Sequence, residues 1–171
     1  MAITIRRVGP DDAEQYRICR LDTLRDAPTA FSSSFEGEEP WTTEMFVNKF
    51  ITPLDTPTSA LFGAFDGERL IGTTRIFREE RTKRRHKMNL VGVYVRPEYR
   101  GQKISSALVE AAIAYARTLE GIESIELSVQ SSNISAKALY ASFGFKTWGT
   151  EPDFIRYENV YYDADYMSLK L

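Results

Sequence analysis

Cysteine and histidine are almost missing from this chain: Cys19 and His86 are single instances among 171 residues. One thiol excludes an intrachain disulfide framework and fits a reducing compartment. One thiol with one imidazole leaves neither a zinc ligand set nor a Cys/His nucleophile pair. Cys19 sits beside Ile18 and Leu21 in a helical stretch and reads as a buried or half-buried structural thiol. An excess of either charge is lacking too. With 22 basic and 24 acidic residues the net charge is −2, so no global field draws the protein to nucleic acid or a membrane surface. The basic run RTKRRHK, Arg81 to Lys87, holds no interleaved aromatics for base stacking and falls between two strands, where a solvated hairpin tip containing His86 is expected. No apolar run approaches the ~18 residues of a membrane span, and MAITIRRVGPDD carries no apolar signal core. The expectation is a cytoplasmic protein with no metal, no nucleic-acid partner and no membrane partner.

What is present suffices for one substantial core. Hydrophobic residues make up 43% and aromatics 12% of the chain, which at this size means a single domain over residues 1–171. Ile3 to Val8 alternates as a strand, and Gly9-Pro10 stops it. Asp11 with Glu14 reads as a capping box for a helix to about Arg25. From Asp26 to Pro57 the pattern is irregular, with breaks at Pro28, Pro40 and Pro53 and a helix over 42–50. Long connections of this kind often carry binding residues. Ala60 to Phe65 and Arg69 to Phe77 form a hairpin turning at Asp66-Gly67. There follow a strand at 89–95, a helix from Ile104 to about Leu119, a strand at 124–129, a short helix at 134–142 and two C-terminal strands. Strands first, then strand, helix, strand, helix, strand, strand describes an α/β protein with a mixed sheet and helices on both faces.

The stretch NLVGVYVRPEYRGQKISSAL, Asn89 to Leu108, carries the first chemical signal. Leu90, Val91, Val93, Tyr94 and Val95 read as a strand covered on both faces, ended by Pro97. Beyond Gly101 the helix places Ile104, Leu108, Ala111 and Tyr115 on one stripe. Its first turn aims unpaired backbone N–H groups at whatever sits over Arg100 to Ser106, an arrangement that attracts phosphate. A plain strand-to-helix connector with a capping serine would also explain this segment. It does not explain the second one, SVQSSNISAKALYASFGF, where a strand with Ile125, Leu127 and Val129 leads to Asn133, to a short helix carrying Tyr140, and to Phe143-Gly144-Phe145.

Together VYVRPEYRGQKISSAL at 93–108 and NISAKALYASFGF at 133–145 resemble the GNAT superfamily of acyl-CoA-dependent N-acyltransferases, and the likeness extends over nearly the whole chain. It is strongest to single-domain bacterial-type members. The resemblance implies a mostly antiparallel sheet of about seven strands in which those at 89–95 and 124–129 run parallel and splay apart. Acetyl-CoA would lie in the gap, its pantetheine pairing with the backbone of Val93 and Val95 and its phosphates over Arg100, Gly101, Gln102, Lys103, Ile104, Ser105 and Ser106. The backbone N–H near Val93 or Tyr94 would polarise the thioester carbonyl. Tyr140 stands where relatives have a general acid for the departing thiolate, and Asn133 where they have a contact to the CoA chain, a helix cap or both. Two departures stand out. The family's phosphate loop usually has two further glycines where this chain has Lys103 and Ser105, so the Lys103 ammonium must reach the phosphates. Many members also place a carboxylate near the start of the strand at 89–95, where Asn89 cannot take a proton. Glu36, Glu38, Glu39 or a water chain are the substitutes for a base.

The implied activity is acetyl transfer from acetyl-CoA to a primary amine of a small molecule, peptide or protein, in a ternary complex. The alternative is a non-catalytic CoA-binding regulatory or interaction protein, which has no need of Tyr140. The acidic segment 36–39 would suit a cationic acceptor or serve only solubility. Tyr162, Asp163 and Asp165 are either substrate contacts or ordinary strand-edge surface. Tyr157, Tyr161, Tyr162 and Tyr166 either form a homodimer contact or cover the sheet.

Overall fold

The computed structural model describes residues 2–51 and 58–171; Pro53, expected as a break, lies outside the described residues. β1 (Ile3–Arg7) leads through one 3₁₀ turn at Pro10–Asp12 into α1 (Ala13–Asp26). The cap differs from the Asp11/Glu14 box expected from the sequence. The Asp12 carboxylate accepts the Gly9 N–H at 2.9 Å and two Arg6 N–H groups at 2.7 Å, because Pro10 starts the turn directly after Gly9 and brings the third residue of that turn back to it. α2 (Phe35–Glu38) is capped by Ser34 and α3 (Thr43–Phe46) by Thr42, and α3 runs into a wider π-type turn at Val47–Ile51. The single helix expected over 42–50 is therefore regular for one turn only. Its aromatic residues remain together: Phe46 and Phe50 pack with Tyr16 and Trp41, ring centroids 5.6–6.3 Å apart.

The remaining elements are β2 (Ser59–Asp66), β3 (Arg69–Arg78), β4 (Lys87–Val95), α4 (Ile104–Arg117), β5 (Ser124–Gln130), α5 (Ile134–Ser142), β6 (Lys146–Tyr157) and β7 (Val160–Lys170). They build a seven-stranded sheet in the order β1-β2-β3-β4-β5-β7-β6, antiparallel throughout except between β4 and β5. One face carries α1 and α3 over β2 and β3, around Tyr16, Cys19, Phe46, Phe65 and Leu70. The other carries α4 and α5, around Ile76, Met88, Leu90, Ile113, Ile125 and Met167. Burial contributes roughly 1.5–3 kcal/mol for each large apolar side chain. α4 buries Ile104, Leu108, Val109, Ala112, Ile113 and Ala116. That arc is wider than the expected stripe, because α4 lies across β2, β3 and β4 at once. Cys19 is fully buried, which pushes its thiol up to about 12 and leaves it an inert packing residue. The β6–β7 hairpin keeps Tyr157 and Tyr161 at its tip 38% and 54% exposed rather than folded over the sheet. Among the described residues no helix is long and apolar enough to cross a membrane.

One irregularity positions everything that follows. β4 and β5 pair only where Lys87–Asn89 meets Ser124–Glu126. Beyond Asn89 the two strands part. On its other edge β4 sets Val91 against Arg75 and Tyr94 against Thr73, so that Gly92 and Val93 together oppose Thr74, a β-bulge that bends the strand. Gly92 has φ +67°, and a Cβ there would meet nothing within 4 Å. The left-handed backbone, not crowding, is what calls for glycine.

Candidate active site

The end of β4 is tied to α1 before it reaches α4. The guanidinium of Arg96 donates to the Leu70 carbonyl at 3.0 Å and to Asp22 at 2.6 Å. Four residues along α1, Asp26 takes the Arg100 guanidinium, whose Nε also meets the Val95 carbonyl at 3.0 Å. These two ion pairs fix the loop against one side of α1. They also consume two of the loop's three cations, leaving Lys103 with no ion-paired partner among the described residues. Lys103 is the N-cap of α4 in the left-handed region, φ +61°, next to Gly101 at φ +78°. A lysine there carries a strain of about 1–2 kcal/mol that glycine would not.

Two hollows meet in the fork between β4 and β5. A groove of ≈ 520 Å³ follows Val93, Tyr94 and Val95 to Arg100, Gly101, Lys103, Ile104 and Ser105 on one side, with Asn133, Leu139 and Tyr140 opposite. Gln102 and Ser106, expected in this group, are in the loop and first turn but outside the groove wall. A cleft of ≈ 310 Å³ opens on the face carrying α1, walled by Tyr16, Arg20, Phe31, Thr73, Arg75, Val91, Gly92, Phe154, Tyr162 and Asp163. Ala30, Phe31, Val93, Asn133, Ala136 and Tyr140 line both. Val91, expected under cover on both faces, is 40% exposed because it borders this opening. The loop after α1 reaches across the fork, where the Thr29 hydroxyl meets Gln130 at the end of β5, 3.1 Å away.

Asn133 caps α5, its side-chain oxygen accepting the Ala136 N–H at 3.1 Å. Tyr140 is buried about two turns further on, edge-to-face with Phe145 at 5.9 Å, and burial raises its hydroxyl to about 12. The carboxylates are distributed less simply. Glu36 and Glu39 are exposed, and neither lines the cleft. Glu38 is buried behind the cleft wall and gripped by Arg20 through two bonds of 2.9 Å. Desolvation is the largest influence and opposes its charge, but the hydrogen bonds and charge of Arg20, the Ser33 hydrogen bond and the Lys49 charge together outweigh it, so its carboxyl lies below the ordinary range. Asn89 faces Glu126 across the parallel pair, and that carboxylate is taken by Lys87 and Arg84. Asp165 is held by Lys137, Ser131 and Thr150 and pushed down to about 2. Among the described residues Asp163 is the carboxylate on the cleft wall, one oxygen accepting the Asp153 N–H at 2.9 Å.

Sequence reasoning missed Arg75, Thr73 and Tyr16 in the wall, since only the register of β3 against β4 tells which of its residues face the cleft. It also missed the bulge, for which an isolated glycine inside an apolar run was the available signal.

The chain matches the acetyltransferase (GNAT) family over residues 21–145. The N-alpha-acetyltransferase RimI of Mycobacterium tuberculosis is 31% identical over 140 residues, 81% of this chain and 82% of that protein. An uncharacterized N-acetyltransferase of Schizosaccharomyces pombe is 42% identical over 79 residues, 46% of this chain and 45% of that one. The chain spans less than half the length of most of the named relatives it matches. An acetyltransferase structure from Salmonella typhimurium, solved with its cofactor acetyl-CoA, superposes with a TM-score of 0.86 over 99% of this chain and 94% of that one at 16% identity, a likeness of fold.

Proposed function

The chain belongs to the GNAT family of acetyltransferases, and from that premise we propose that it moves the acetyl group of acetyl-CoA onto a primary amine in a ternary complex. The observation that carries the reading is the junction of groove and cleft at Val93 and Tyr140. A donor in one and an acceptor in the other meet at one backbone bulge and one phenol. The residues present suit an acyl-CoA. The N–H groups of the first turn of α4 and the Lys103 ammonium would hold the phosphates, and the forked edge of β4 would hold the pantetheine as an added strand does.

Acetyl-CoA supplies an activated acyl group on a thiol leaving group. The amine nitrogen forms its bond to the thioester carbon as the C–S bond breaks. The bulge at Gly92-Val93 sets two residues of β4 against one of β3, and a backbone N–H released from the ladder there would meet the negative charge that gathers on the carbonyl oxygen. Tyr140 is a phenol that is protonated at neutral pH, a state burial favours further, and it gives its proton to the departing sulfur. The proton lost by the amine goes to Asp163, directly or through cleft water. Glu38 serves as the charged partner of Arg20. We place the protein in the cytoplasm, a setting that the lone buried Cys19 supports.

Binding of acetyl-CoA to the folded chain stabilises it by mass action. The melting temperature is therefore expected to rise with acetyl-CoA or CoA concentration, equally with and without EDTA. An unchanged melting temperature at millimolar CoA contradicts the assignment.

A further inference from the structure

Arg75 lies in the middle of β3, lines the acceptor cleft and stands opposite Val91 in the register. Its guanidinium carbon is 4.8 Å from the centre of the Phe77 ring. That contact uses the face of the ion and leaves the N–H donors along its rim unspent. Among the described residues none accepts from them or forms an ion pair with them, and Nε is buried without an acceptor. The second arginine of the cleft wall differs, since Arg20 is closed by the bidentate pair with Glu38. Asp163 shares the wall and is bonded to the Asp153 N–H, not to Arg75. Among the described residues Arg75 is therefore the cation of the cleft wall that has no ion-paired partner.

A cation that has lost water and gained no partner is costly, and burial lowers the Arg75 proton affinity accordingly. A ligand that supplies two coplanar oxygens restores what burial removed, and a planar guanidinium fork matches a carboxylate or phosphonate bidentately. We infer that Arg75 is the specificity residue for the acceptor, and that the acceptor is an amine that also carries an oxyanion group, carboxylate or phosphonate, paired with Arg75 in the cleft. The inference rests on the N-acetyltransferase reading and narrows it. It sets aside a purely cationic acceptor drawn in by residues 36–39, because Glu38 is already neutralised by Arg20 and the other two acids lie outside the cleft.

The test compares thiol release from saturating acetyl-CoA for matched amines: α- and ω-amino acids, the corresponding carboxamides, aminoalkylphosphonates, and diamines. The wild type is expected to show kcat/KM at least about tenfold higher for an oxyanion-bearing amine than for its carboxamide. Whether carboxylates or phosphonates lead identifies the source of the oxyanion. In Arg75→Gln the ratio should fall to near one, while Arg75→Lys keeps part of it. The rise in melting temperature with CoA should be the same in all three proteins, which shows that the groove and fold are intact. A preference for carboxamides or diamines, or an Arg75→Gln protein that keeps the oxyanion preference, overturns the inference and leaves the transferase reading standing. If no amine is acetylated, the transferase reading fails, and binding decides on Arg75. N-acetyl amino acids should then raise the melting temperature of the CoA-bound wild type more than their carboxamides do, a difference lost in Arg75→Gln. Equal shifts overturn the inference.

Discussion

Burial raises the Tyr140 hydroxyl to about 12, so the phenol is protonated across the neutral range and has a proton to donate. Tyr140→Phe keeps the ring against Phe145 and removes the proton. Turnover should drop by ~10²–10⁴-fold, the usual worth of a general acid, with the CoA-dependent rise in melting temperature unchanged. A full rate in the variant would place the acid elsewhere. Lys103 makes a second residue-level case, since its backbone and its side chain pull in opposite directions. Its φ of +61° favours glycine, whereas its ammonium is the loop cation left free by Asp22 and Asp26. Lys103→Gly should stabilise the CoA-free protein by up to about 1 kcal/mol and weaken CoA binding more at low salt than at high. Affinity unchanged at every salt concentration would mean that the side chain points away from the phosphates.

Between elements, the joint of β5, α5, β6 and β7 is closed by Asp165, which accepts from Lys137, from Ser131 at 2.7 Å and from Thr150 at 2.9 Å. These partners, Lys137 first, push its carboxyl down to about 2. An unfolded aspartate titrates near ~3.9, so the contribution is fully present above that value and lost as pH falls toward 2. Asp165→Asn should therefore melt below the wild type at pH 7, and the two should converge near pH 2. A constant difference across that window would remove the charge from the explanation. This joint lay hidden in the sequence, because its members are up to 34 residues apart. So did the Arg96–Asp22 and Arg100–Asp26 ties across 74 residues. The elements themselves were legible. α5 carries its own cap in Asn133, and β2 and β3 carry their turn in Asp66-Gly67. α3 was less so, for its aromatic contacts override helix periodicity.

At the scale of the molecule, the fork between β4 and β5 is what the sheet order, the bulge and the two helical layers combine to produce. The sequence motifs marked both strands flanking the fork, and the resemblance supplied their parallel pairing. The acceptor cleft was hardly legible, because its wall is gathered from α1, β3, β6 and β7, and side-chain direction in β3 depends on register. The account stands or falls on whether groove and cleft work as one site. The most direct measurement follows free thiol released from acetyl-CoA across a panel of primary amines, with the acetylated amine identified by mass spectrometry. The account predicts amine-dependent thiol release with one N-acetylated product per thiol. Acetyl-CoA bound tightly, yet no release above the amine-free rate with any amine, would contradict it and leave a CoA-binding protein without transfer.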